Sequence, residues 1–96
     1  MASEYHIAIL IKTLTGFETC GEFFVGRSSV EANHLFSNLR GRVIEIQEGI
    51  LILELRTISR GLPIDVQMLS CTLDELGENC KTITKYLFTQ LYVPDL

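Results

Sequence analysis

The spacing of apolar and polar residues changes several times along the chain, and each change marks an element. Residues 5 to 13, YHIAILIKT, are rich in β-branched side chains and hold no helical stripe. As a strand they place Tyr5, Ile7, Ile9 and Ile11 on one face and His6, Ala8, Leu10 and Lys12 on the other, which is itself half apolar. Thr15-Gly16 signals a turn, and Phe17 to Val25 reads as a second strand weighted by Phe17, Phe23 and Phe24, so the chain opens on a hairpin. The period then shifts. Val30, Ala32, Leu35, Phe36 and Leu39 recur near 3.6 residues behind Ser28-Ser29-Val30-Glu31, a capping box, and ahead of Arg40 and Gly41, which suit a helix end. This predicts a helix over 28–40.

Residues 42–49, RVIEIQEG, fit either a short strand or an irregular lead into the next one. Ile50 to Thr57 is a strand, Ser59 to Pro63 a loop punctuated by Gly and Pro, and Ile64 to Cys71 a further strand with Ile64, Val66 and Met68 on one face and Asp65 and Gln67 on the other. Thr72-Leu73-Asp74-Glu75 is a second capping box, and Leu76, Cys80, Ile83, Leu87 and Leu91 form the stripe of a helix over 73–91; Pro94 stops whatever follows.

The element order is ββαββα. Two helices with one apolar stripe each and four strands are satisfied by an α+β two-layer sandwich, a four-stranded, mainly antiparallel sheet with both helices on one face, spanning residues 1–96 as a single domain. This order resembles a circular permutation of the ferredoxin-like layout, a likeness that carries no function with it. The second face of the sheet then needs a cover. Ala8, Leu10, Ile50 and Ile52 would lie there, and self-association as a two-fold dimer is the preferred solution. The other is a loop such as 42–49, or the C-terminal YVPDL, folding across it.

Composition narrows the function. With 47% apolar and 21% charged residues the chain can form a core, and its net charge of −4 is poorly suited to nucleic acid. A patch from Arg40, Arg42, Arg56 and Arg60 is the weaker alternative to solvated surface arginine, so a nucleic-acid role ranks last. No apolar run approaches the roughly 18 residues of a membrane span, and Ile7 to Ile11 is shorter than the roughly 7–15 of a signal core. Three cysteines, Cys20, Cys71 and Cys80, cannot all pair within the chain, which points to reduced thiols in the cytoplasm.

The candidate chemistry is sparse. Gly21 to Ser28, GEFFVGRS, lies one residue type from the phosphate-loop pattern, but its aromatic interior prefers a strand and Glu22 would set a negative charge beside phosphate. The free amides and cation of Gly26, Arg27, Ser28 and Ser29 at a helix start make an anion site the alternative function. Glu31-Ala32-Asn33-His34 has the E-x-x-H spacing of di-iron bundles without the second pair that chemistry requires, and no zinc spacing occurs, so neither metal nor cofactor is expected. Cys71, just before a helix cap, is the candidate reactive thiol, opposed by Asp74, Glu75 and Glu78 nearby. The reading that results is a non-enzymatic cytoplasmic domain acting through self-association or another protein partner.

Overall fold

The computed structural model describes residues 3–92, with side chains described through Gln90. Pro94 and most of YVPDL therefore lie outside the described residues, as does the side chain of Leu91. Within them the chain forms β1 (Glu4–Thr13), β2 (Gly16–Phe24), α1 (Ser29–Ser37), β3 (Arg42–Ile44), β4 (Leu51–Ser59), β5 (Leu62–Cys71) and α2 (Leu73–Tyr86). One sheet holds five strands in the order β2-β1-β4-β5-β3, and every ladder is antiparallel. The expected α+β class stands, with β3 as a fifth strand. The ferredoxin-like likeness does not carry through, because β3 makes the element order ββαβββα and the sheet runs β2-β1-β4-β5-β3.

Alternation along β1 divides the interior as its sequence requires. Tyr5 and Ile7 join Leu53, Leu55 and Leu69 from the sheet, Ala32, Leu35 and Phe36 from α1, and Ile83 from α2 in one core, so both helices cover the same face. Full burial of an aliphatic side chain such as Ile7, Leu53 or Ile83 is worth about 1.5–3 kcal/mol. Ala8, Leu10, Ile44 and Ile52 form a second, smaller core on the opposite face, flanked by Phe17 and Met68.

The chain covers that opposite face itself. Beyond β3, the Gln47 amide donates to Glu54 (3.4 Å), Glu48 pairs with Arg42 (3.0 Å), and the Lys12 amide donates to the Ile50 carbonyl (2.9 Å). Residues 45–50 thus form a strap across the second core. Glu54, buried beneath it, is held by the Arg56 Nε–H at 2.9 Å. Of the two covers that the sequence allows, the loop is the one formed within the chain.

Element boundaries differ where turns and caps are tighter than the pattern suggests. The loop expected over Ser59–Pro63 is a two-residue turn in which Arg60 (φ 55°) and Gly61 (φ 79°) both take the left-handed region, as close hairpins require, so β5 begins at Leu62 and includes Pro63. Its register shifts at Thr57/Ile58, which leaves Ile64 as an extra residue, while Val66 and Met68 share one face opposite Arg56 and Glu54 as expected. The first helix is shorter than its stripe, ending at Ser37 with Asn38 as cap. α2 ends at Tyr86, and the chain continues as a wider π-type turn over Leu87–Tyr92, where the Thr89 hydroxyl donates to the Lys85 carbonyl (2.8 Å).

One polar residue fixes how the helices meet. Asn79 on α2 is 1% exposed. Its side-chain carbonyl accepts from the Arg40 amide (2.7 Å), and its NH2 donates to the Arg40 carbonyl (2.8 Å). The next residue, Gly41 (φ 144°), lies so close to β5 that a Cβ there would sit 2.5 Å from the Ser70 carbonyl oxygen. Asn79→Ala strips both partners from the Arg40 backbone and is expected to cost about 2–4 kcal/mol, measured by urea denaturation. Gly41→Ala should destabilise by the same assay, because neither the backbone angle nor the space accepts a methyl group.

Candidate functional site

Gly21–Phe24 is regular strand within β2, so GEFFVGRS is strand, then cap, then helix. The Gly26 carbonyl accepts from the Tyr5 amide (2.9 Å), extending the β1 pairing, and the Ser28 hydroxyl accepts from the Glu31 amide (3.2 Å). Arg27 is already engaged: its guanidinium lies 3.7 Å from Glu4 and 5.3 Å over the Phe24 ring. Glu31 does not complete the expected box. It accepts from the Tyr86 hydroxyl (3.4 Å) and so ties α1 to α2. Burial, then the Glu31 charge, pushes the Tyr86 phenol above its ordinary value. An anion at Gly26–Ser29 would therefore meet Glu4 and Glu31 nearby, with the one cation shared.

The other candidates disperse. Arg56 is held by Glu54 and reaches Thr19 (3.3 Å), and Arg42 is held by Glu48; Arg60 sits at the tip of the β4–β5 turn. His34 is exposed on α1 beside Asn38 (3.4 Å). His6 lies on the strap side between the carboxylates of Glu4 (3.4 Å) and Glu22 (3.3 Å), a cluster that the sequence spacing did not disclose because β2 supplies one member. Among the described residues no group of three His, Cys, Asp or Glu is arranged to hold a metal ion, and no helix is long and apolar enough to cross a membrane.

The three thiols are unpaired. Cys71 closes β5 and is half-buried. Burial, then the Glu75 carboxylate and Cys80, pushes its pKa up to about 11, so the candidate reactive thiol is held neutral at physiological pH. Burial, then Cys20, also raises Cys80. Cys20 is exposed on β2, opposite the point where the β1–β2 register shifts between Ile9 and Leu10.

Three of the four residues proposed for self-association, Ala8, Leu10 and Ile52, lie beneath the strap and are 0–4% exposed, while Ile50 remains 68% exposed. The Ala8–Leu10–Ile52 face is therefore core in the single chain, because β3 supplies Ile44 and the strap closes over it. A charge at Leu10 would be buried and would report on folding.

Four exposed large apolar side chains lie along the β3–β5 edge, while others are spread over the β1–β2 turn, α1, the strap and α2. β3 pairs only with Met68–Ser70, and Leu62 to Gln67 are exposed throughout. Val43, Leu62, Ile64 and Val66 are 77%, 67%, 63% and 43% exposed. Beside them an open groove of about 590 Å³ runs between α1, β3 and β5, walled by Phe36, Leu39, Val43, Val66 and Leu69. The Gln67 amide donates to the Asn33 side chain (2.7 Å) across it. The sequence carried a signal for this edge: Pro63 and Asp65 within a strand suit one with a free side.

Compared with protein-family models, curated proteins and solved structures, the chain matches none.

The thiols give a pH prediction. A folded-state pKa raised from 9.0 to about 11 means that neutral Cys71 contributes stability fully present below about pH 9 and lost as pH rises through about 11. Urea denaturation across that window should show Cys71→Ser losing less stability than the parent chain. At pH 8, iodoacetamide should modify exposed Cys20 well before Cys71, read by mass spectrometry of tryptic peptides.

Proposed function

We propose that this chain is a non-enzymatic cytosolic domain that works by association with protein, through the β3–β5 edge. The supporting observation is the concentration of exposed Val43, Leu62, Ile64 and Val66 along one sheet edge, beside a groove of mixed apolar and amide lining. Apolar side chains gathered in a strip, rather than scattered singly, are what a docking surface requires. The groove is open and crossed by the Asn33–Gln67 hydrogen bond, and its walls lack a nucleophile paired with a base. Three unpaired thiols suit a reducing compartment.

The test is capture. Val43→Asp combined with Val66→Asp places two charges on the strip at exposed positions and should cost the fold no more than about 1–2 kcal/mol. Tagged parent chain mixed with its own host's lysate should retain proteins, copies of itself included, that the folded double variant loses. Equal retention by both would overturn this reading.

A further inference from the structure

The β3–β5 edge carries its charges in a telling arrangement. Arg60 stands at one end, at the tip of the β4–β5 turn, and Glu45 at the other, one residue beyond β3 and lining the groove beside Gln67. Neither forms an ion pair among the described residues. Between them run the exposed Leu62, Ile64 and Val66. From the turn to Gln67 the strip spans roughly 20 Å at about 3.3 Å per residue, and its midpoint falls near Ile64.

We propose that the occupant of this edge is a second copy of the chain, docked antiparallel about a two-fold axis near Ile64, with Arg60 of each copy against the partner's Glu45. The inference rests on the association reading above and names its partner. A strip with a cation at one end and an anion at the other has ends complementary to each other under a two-fold rotation, which superposes opposite ends. The backbone argues against an unrelated extended peptide. Pro63 has no N–H to offer, and the register shift at Ile64 interrupts the regular edge that strand addition uses. Side chains rather than a continuous ladder then carry the contact. So short a strip is small for an interface, and dissociation in the micromolar range is expected.

Sedimentation equilibrium across about 1 μM to 1 mM tests this, using the parent chain, Arg60→Glu, Glu45→Arg, the combined charge exchange, and the Val43→Asp/Val66→Asp variant. Circular dichroism confirms that each is folded. The parent should form a concentration-dependent dimer. Each single reversal should weaken it by about tenfold, since each affects two symmetric pairs, and the combined exchange should restore it to within about threefold. Dimers indifferent to the reversals but broken by the valine substitutions overturn the two-fold pairing and leave the association surface standing. A parent chain that stays monomeric at 1 mM overturns the second copy as occupant, and lysate capture then decides separately whether the edge binds other protein. A dimer unaffected by every variant overturns both.

Discussion

A single buried amide holds the helices and the sheet edge in one arrangement. Asn79 is enclosed where its helix faces inward, and it meets both its acceptor and donor needs on the backbone of Arg40. A group so placed tolerates no alternative position, because its desolvation is offset only when both bonds form. It therefore fixes the point at which the chain leaves the first helix. Gly41 can then turn against the Ser70 carbonyl, Arg42 can enter β3, and β3 can sit on the outer side of β5. The groove between α1, β3 and β5 inherits its shape from that junction, since Gly41, Val43 and Leu69 all line it.

The two faces of the sheet solve the same problem by different means. On one, two amphipathic helices bring a broad apolar surface. On the other, Ile44 and the strap cover a small apolar group, and on the same face Arg56 and Gln47 supply hydrogen bonds to the buried Glu54 carboxylate. A buried ion pair of this kind contributes little net stability, but breaking it would leave Glu54 buried with an uncompensated charge. Because Glu54 and Arg56 lie two residues apart on one strand, the pair fixes which face of β4 points toward the strap.

Much of the architecture was legible in the sequence because it depends on local spacing. The alternation from Tyr5 to Leu10 divides the two interiors, and Ser28 and Thr72 cap the helices as their sequences indicate. What was hidden depends on tertiary partners. Glu75 completes its capping box, but Glu31, in the equivalent position, turns to Tyr86, which lies 55 residues away. Asn79 breaks the apolar stripe of its helix and looks like a surface residue until Arg40 is placed beside it. Arg60-Gly61 forms a close turn although arginine rarely adopts a positive φ, and that turn converted an expected loop into strand. The dimer face inferred from Ala8, Leu10, Ile50 and Ile52 required knowing whether residues 42–49 would fold back, and ambiguous patterning could not decide it. The candidate edge was obscured because exposed Leu62, Ile64 and Val66 have the composition of buried strand.

Ser70 is pressed from two directions: Gly41 abuts its carbonyl, and Gly49 lies where a Cβ would be 2.9 Å from its Oγ. Residues 40–50 thus wrap the sheet edge, beginning against a helix and finishing on the far face. Such a wrap can close only around a β4–β5 hairpin that has already formed, and β3 finds its partner strand across an intervening hairpin arm, whereas both hairpins close locally. The entropy cost of closing the strap is therefore lower once that hairpin is in place. A loop with little core of its own belongs to the low-stability end of local opening, so water exclusion from the smaller interior depends on the strap while that of the larger one depends on two helices.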